Sequence, residues 1–358
     1  MEEVKQIIKK IHMKIKRIIN MLHCCLFFAM AFLWLTPMNT VHAENKITIA
    51  TIGATPNINK NQAPEKLVEQ MINFWRGQLS QVLRSKVDLI VLPEVCDAPR
   101  DLDTIEQKAY LNVRKQRLLD YFGSVAKDNN CYIAFGSIHE ANDGLHNSLI
   151  LLGRNGKVAG TYNKNFPTIY EMDAGVKPGS EISVIHCDFG KVALVICFDL
   201  NFDELRQQYA KEKPDVVLFS SLYHGGLMQE VWAYSCRSYF VSAIGDTKLP
   251  SEILNPLGEV VATSTNYNDY AIATVNLDYK LVHVDYNWDK LTKLKTKYGD
   301  AVTIHVPGKI GAVMITSEDK NISTAQMVEE FNIELLDDYF NRSREVRNKQ
   351  FSKRGLDQ

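Results

Sequence analysis

Apolar residues along the chain keep two alternating rhythms from Lys46 onward. Short continuous runs, ITIATIGA (47–54), DLIVLPE (88–94), CYIAFGSI (131–138), NSLILLG (147–153) and DVVLFSS (215–221), have the length and composition of buried strands. Between them, residues 64–84 place Leu67, Val68, Met71, Trp75, Leu79 and Val82 at the interval of an amphipathic helix, and residues 103–128 read as a second one. ISVIHCD and KVALVICF predict a hairpin turning at Phe189-Gly190, and Arg154-Asn155-Gly156-Lys157 predicts the turn that closes the 147–153 strand. FDELRQQYAKE (202–212) reads as a helix with Asn201 as its N-cap and Glu204 three residues on. A helix over 227–238 follows, then strands at YFVSAIG (239–245), EVVATST and YAIATVNL, with Asn255-Pro256-Leu257-Gly258 as a turn. No linker, repeat or charge block interrupts 46–279. The pattern is that of one α/β layered domain, taken as 44–280, whose hairpins keep its sheets from being purely parallel. The tail, 281–358, has a different texture: a basic segment from Lys290 to Lys297, a strand pair around VTIHVPGKIGAVMITSED, and a polar helix over 324–350. It reads as an extension packed on the same domain or on an oligomer partner.

The N-terminus follows neither rhythm. Residues 1–20 carry six basic and two acidic side chains, and Leu22 to Leu35 then runs 14 residues without a formal charge. A bilayer span needs about 20. Val41 and Ala43 stand as small residues on either side of His42. A basic region, a short apolar core and a small-residue exit make a secretory signal peptide over 1–43, and an exported, periplasmic or secreted protein. Left uncleaved, the same segment would be a membrane anchor, the chain's one contact with a membrane.

Composition narrows the rest. Across 358 residues, 41 Lys+Arg balance 42 Asp+Glu, so no basic field exists for nucleic acid. Beyond the leader, Cys96, Cys131, Cys187, Cys197 and Cys236 are odd in number and irregularly spaced, unlike a disulfide framework or a metal site. Cys131 and Cys187 sit in strand-like runs and read as core. The nine His show no HxxxH or HExxH pairing, so no metal is expected.

Three reactive side chains close apolar strands. Glu94 follows LIVLP, Cys197 follows VALVI, and Lys164 lies in GTYNKNFP. A carboxylate at a buried strand end suits a base. A thiol at a strand-to-helix turn sits near unpaired N–H groups and a helix dipole, both of which favour the thiolate. An ammonium in the same pocket would stabilise an oxyanion. Each signal alone is equally a surface or packing residue; their convergence at the ends of three strands of one core is the informative feature. Ser220, Ser221, Tyr223, His224 and Trp232 follow the next strand, which makes Tyr223, His224 and Trp232 candidate substrate-pocket walls or, equally, a packed rim.

At VLPE (91–94), GTYNKNFP with Pro178-Gly179, and LVICFDLNFDELR (194–206), the chain resembles the carbon–nitrogen hydrolase (nitrilase) superfamily, on its amidase-like branch. The resemblance runs from about Lys46 to Leu277. It implies a four-layer αββα sandwich, in homodimers or larger assemblies formed through the layer that carries the helix after Cys197. It also implies a catalytic set: Cys197 as nucleophile, Glu94 as general base, Lys164 as stabiliser of the tetrahedral intermediate, Glu171 as a second carboxylate, and the Phe198 N–H in the oxyanion hole. No cofactor is implied. Cys197-Phe198-Asp199 is nearer the amidase pattern than the Cys-Trp-Glu of true nitrilases. Asn201 and Asp203 stand where dicarboxylate ω-amidases carry Arg and Pro. The expected activity is hydrolysis of a non-peptide amide or carbamoyl bond in a small molecule through a thioester. The alternatives are an N-acyltransferase using the same triad and a binding or scaffold protein whose triad has decayed.

Overall fold

Strands buried on two faces require layers on both sides, and the computed structural model has that arrangement. It describes residues 45–353 apart from Asp101 and Asn142; the leader expected over 1–43 lies outside them. The first half of the chain supplies β1 (Lys46–Ile52), α1 (Pro64–Leu83), β2 (Leu89–Val91), α2 (Thr104–Arg114), α3 (Arg117–Asp128), β3 (Tyr132–Ala141), β4 (Gly144–Leu152), β5 (Val158–Asn163) and the short α4 (Ile169–Asp173). The second supplies β6 (Val184–Cys187), β7 (Gly190–Ile196), a 3-10 turn (Cys197–Asn201), α5 (Asp203–Glu212), β8 (Val216–Ser221), α6 (Leu227–Cys236), β9 (Tyr239–Ile244), β10 (Glu252–Leu254), β11 (Val260–Thr263) and β12 (Tyr270–Asn276). Two six-stranded sheets result, ordered β12-β1-β2-β3-β4-β5 and β11-β10-β9-β8-β7-β6. In each, three parallel strands (β1, β2 and β3; β7, β8 and β9) are flanked by antiparallel ones.

The two-residue side-chain period sorts each strand between two cores. Ile49, Val91, Ala134 and Leu151 meet Val192, Leu194, Ile196 and Leu218 between the sheets. The alternate residues Ala50, Ile90, Ile133 and Phe135 lie under Leu67, Met71, Trp75, Tyr110 and Phe122 of the first helix layer. Ala193, Val195, Val217 and Phe219 lie under Leu205, Tyr209, Trp232 and Ala233 of the second. The architecture is the αββα sandwich. Each large apolar side chain sealed in these cores is worth roughly 1.5–3 kcal/mol of transfer free energy.

Local details differ from expectation where the backbone turns without glycine or proline. The helix expected over 103–128 is two, because Lys115 takes φ 40°. Just before it, Arg114 is buried, its Nη1 2.5 Å from Asp97 Oδ2 and its Nη2 donating to Ile138 O at 2.8 Å. Asn201 is not a helix N-cap: it ends the 3-10 turn and its Nδ2 donates to Phe198 O and Tyr223 Oη, both at 3.0 Å, while Phe202 precedes α5. The β6–β7 pairing ends at Cys187↔Gly190, so Asp188-Phe189 form the turn.

The tail forms its own small sheet, β13-β15-β14, from β13 (Tyr279–His283), β14 (Val302–His305) and β15 (Ala312–Ser317). The basic segment is helix α7 (Trp288–Tyr298), and the polar helix divides at Asn332, φ 50°, into α8 (Thr324–Glu330) and α9 (Leu336–Lys353). Leu281, Met314 and Leu336, with Phe340, pack against Leu257 and Tyr234 of the larger body. Arg237, past the end of α6, pairs with Asp337 at 3.2 Å, and its carbonyl accepts the Tyr279 hydroxyl at 2.5 Å. No helix among the described residues is long and apolar enough to cross a membrane.

Candidate active site

The C-terminal ends of the central strands converge, as ligand sites do in open α/β sheets. After β2, Leu92-Pro93 carry the chain to Glu94, and Val95 turns it at φ 48°. Strand β3 holds this loop through Gly136, whose N–H donates to Pro93 O at 3.1 Å and whose carbonyl accepts the Cys96 N–H at 3.0 Å. A Cβ on Gly136 would sit 2.5 Å from Glu94 Cα, so only glycine lets the strand approach. From the other sheet, Ser220 Oγ donates to Leu92 O at 2.7 Å. Lys164 follows β5, its N–H donating to Asn147 O and its carbonyl accepting the Gly179 N–H, both at 2.8 Å. That second bond is the place of the Pro178-Gly179 pair. Thr168 caps α4 in a reciprocal box with Glu171, which turns the Glu171 carboxylate inward.

The side chains form one buried cluster. Lys164, 1% exposed, sets Nζ 2.8 Å from Glu94 Oε1 and 2.9 and 3.1 Å from the two Glu171 oxygens. Asn147 Nδ2 donates to Glu94 Oε1 at 2.8 Å and to Glu171 Oε1 at 2.7 Å. Burial works against the lysine's charge, but the Glu94 carboxylate, the Cys197 sulfur and the Glu171 carboxylate more than offset it and raise its pKa. Burial likewise pushes Glu171 up, yet Lys164 and the Thr168 and Asn147 donors hold it below the usual carboxylate range.

Cys197 enters from the second sheet. It opens the 3-10 turn with φ 46°, a left-handed conformation that is strained for a residue with a side chain. Its thiol meets the Glu94 carboxylate and the Ser221 hydroxyl. The expectation of a thiolate is corrected here. Burial, then the Glu94 charge, pushes the thiol up to about 12, with Lys164 and Ser221 opposing. A short 3-10 turn separates the sulfur from α5, so the macrodipole of that helix begins too far off to compensate. Cys197, Glu94 and Lys164 thus interact with one another inside one buried cluster.

Other expected site residues are placed unequally. The Phe198 N–H lies in the first turn after Cys197, where no helical carbonyl takes it, and the phenyl ring is over a third exposed against Phe202. Tyr223 is half-buried beside the cluster; burial raises its pKa, Asn201 opposes, and Cys197, Lys164 and Glu94 all act on it. His224 turns elsewhere, Nε2 3.1 Å from Glu252 and Nδ1 accepting the Gly226 N–H at 3.1 Å. Trp232 is no pocket wall: on α6 it is wholly buried in the core with Leu205, Tyr209 and Phe219, and its indole N–H donates to Leu200 O at 2.9 Å, bracing the 3-10 turn. Asn147 and Asp199 are the residues to which sequence reasoning gave no role, while Ser221, a candidate pocket wall there, meets the Cys197 thiol. The Asp199 motif position was visible; its partners were not.

The family profile of carbon-nitrogen hydrolases matches residues 48–280, which span both sheets and every residue of this cluster. The chain belongs to the carbon-nitrogen hydrolase family. Among relatives of this carbon-nitrogen hydrolase, a deaminated glutathione amidase of Dictyostelium discoideum is 24% identical over 66% of this chain and 90% of its own. The omega-amidase NIT2 of Danio rerio is 25% identical over 58% of this chain and 83% of its own. The crystal structure of Saccharomyces cerevisiae Nit3, of the nitrilase superfamily, superposes with a TM-score of 0.55 at 18% identity, covering 64% of this chain and 90% of that one. Family and relatives together make this protein an amidase-like hydrolase of carbon–nitrogen bonds.

Proposed function

We propose that the protein is a cysteine-dependent amidase that cleaves a non-peptide amide or carbamoyl bond of a small molecule through a thioester. The observation that carries this reading is the buried Glu94–Lys164 pair, at 2.8 Å, with the Cys197 thiol interacting with the same carboxylate. A thiol titrating near 12 is neutral at physiological pH, so attack requires a base in contact. Glu94 takes the proton as sulfur bonds to the carbonyl carbon. Lys164 and the Phe198 N–H hold the oxygen that becomes negative. Glu94 then delivers its proton to the leaving nitrogen as the C–N bond breaks, and the thioester remains. Water attacks the thioester, Glu94 accepts its proton, and the sulfur leaves and is reprotonated. The amidases among its relatives support an amide substrate over a nitrile.

The same reading puts the chain outside the cytoplasm after removal of residues 1–43, in dimers or larger assemblies. The test of the chemistry is ammonia release by residues 44–358 from primary amides, carbamoyl compounds and nitriles, beside Cys197→Ala and Cys197→Ser. Release should fall by about three orders of magnitude or more in both variants while folding is kept. Full release by either variant overturns the nucleophile. No release from any compound, with amine acylation in its place, overturns hydrolysis in favour of acyl transfer.

A further inference from the structure

Asn147 has no part in the steps above, yet it bridges both carboxylates of the cluster. In β4, Asn147, Leu149 and Leu151 point between the sheets, so Asn147 enters the site at the open end of a strand whose other side chains are core. It is 1% exposed. Its Nδ2 spans Glu94 Oε1 and Glu171 Oε1 at 2.8 and 2.7 Å, the same two oxygens that Lys164 Nζ reaches at 2.8 and 3.1 Å. The amide orientation is forced, because turning it over would set its oxygen against two carboxylates. Asn147 Oδ1 and Glu94 Oε2 are each buried without a hydrogen-bond partner among the described residues. Glu94 therefore has one oxygen fixed by two donors and one left for the thiol.

We propose that Asn147 is a positioning residue: it spaces the two carboxylates on either side of Lys164 and fixes Glu94 Oε1, so that Oε2 is the oxygen presented to the Cys197 thiol. A single buried ammonium faces two carboxylates. A neutral amide that donates both protons relieves their repulsion without adding a charge that would compete with the oxyanion for Lys164. A second lysine at this position would do the first and fail the second.

This rests on Glu94 and Cys197 acting as proposed above, and the experiment separates the two. Asn147→Asp keeps the shape and removes both donors; Asn147→Ser stays neutral and keeps one. With the amide that wild type hydrolyses best, kcat in Asn147→Asp should fall about 100-fold while KM stays within about threefold, the signature of a misplaced reacting group. The acid limb of kcat/KM should move to higher pH, because the base loses an amide donor to its charged form and gains a carboxylate beside it. Asn147→Ser should show an intermediate loss of about tenfold, and it carries the test if Asn147→Asp does not fold. Folded variants with kcat within about threefold of wild type and an unmoved acid limb overturn the role of Asn147 alone. A wild type whose hydrolysis survives Cys197→Ala removes the underlying reading, and this proposal with it.

Discussion

Asp199 is wholly buried two residues past Cys197 and accepts from the Tyr162 hydroxyl at 2.8 Å, the Phe166 N–H at 2.8 Å and the Ile196 N–H at 3.1 Å. It thus ties the nucleophile's turn to the strand and loop on either side of Lys164. Burial pushes its carboxyl up to about 6, with those three donors and Lys164 opposing. The folded-state value lies above the unfolded one, so its stabilising contribution is complete below about pH 4 and is lost as pH rises through about 6. The size is roughly 3 kcal/mol for a shift of about two units. The stability gap between wild type and Asp199→Asn should therefore narrow between pH 4 and pH 7, read by denaturant unfolding at each pH. A gap that is flat or widens over that range contradicts a protonated Asp199. At this scale the sequence pointed to Glu94 and Cys197, because each follows an apolar run, and to Lys164 through its motif, and the structure brings the three together. It could not disclose Asn147 or Asp199, since an amide or a carboxylate has meaning here mainly through partners 24 to 53 residues away, such as Glu94 for Asn147 and Tyr162 for Asp199.

Elements were legible where both faces are buried. The continuous runs that became β2, β7 and β8 have no polar alternation to misread, and the helix α1 has an apolar stripe of full length. The breaks were not legible, because Lys115 and Asn332 adopt positive φ without the glycine that normally announces it. Trp232 was misassigned for a related reason: following a strand end in sequence says nothing about which side of a helix faces the site. Gly136 gives the element scale its sharpest prediction. In Gly136→Ala the new methyl meets Glu94 Cα, Pro93 O and Val95 N at 2.5 to 2.6 Å, all backbone, so the base loop must move away from β3. Turnover should drop about 100-fold, with a stability loss of about 1–3 kcal/mol. Steady-state kinetics beside thermal unfolding would check it, and wild-type turnover in the folded variant would show that the loop position does not matter.

The described residues form a sandwich with a second, smaller sheet fastened to its side. That tail was the least legible part, since β13 lies in a mixed polar stretch and its partner β15 comes 33 residues later. It is fixed to the body by the Leu257, Leu281 and Leu336 cluster and by Arg237 with Asp337, so it covers the end of α6. The proposed export and assembly belong to this scale. Protein recovered from a producing cell should have an intact mass that begins at residue 44, and light scattering should give at least twice the mass of one chain. A mass that retains the leader, or a monomer, would refute the corresponding point.

The proposed nucleophile and its base come from different sheets. Glu94 and Lys164 follow strands of the first and Asn147 lies in one, Cys197 and Ser221 belong to the second, and Ser220 and Asp199 cross between them. Neither sheet carries a reaction centre by itself, so the centre is a seam and comes into being only when the two halves dock in register. A slip of one sheet over the other would leave every strand pairing intact and every helix in place, and spectroscopy would report a native protein. Chemistry alone would register the loss, which makes turnover the most sensitive strain gauge of the interface between the two layers.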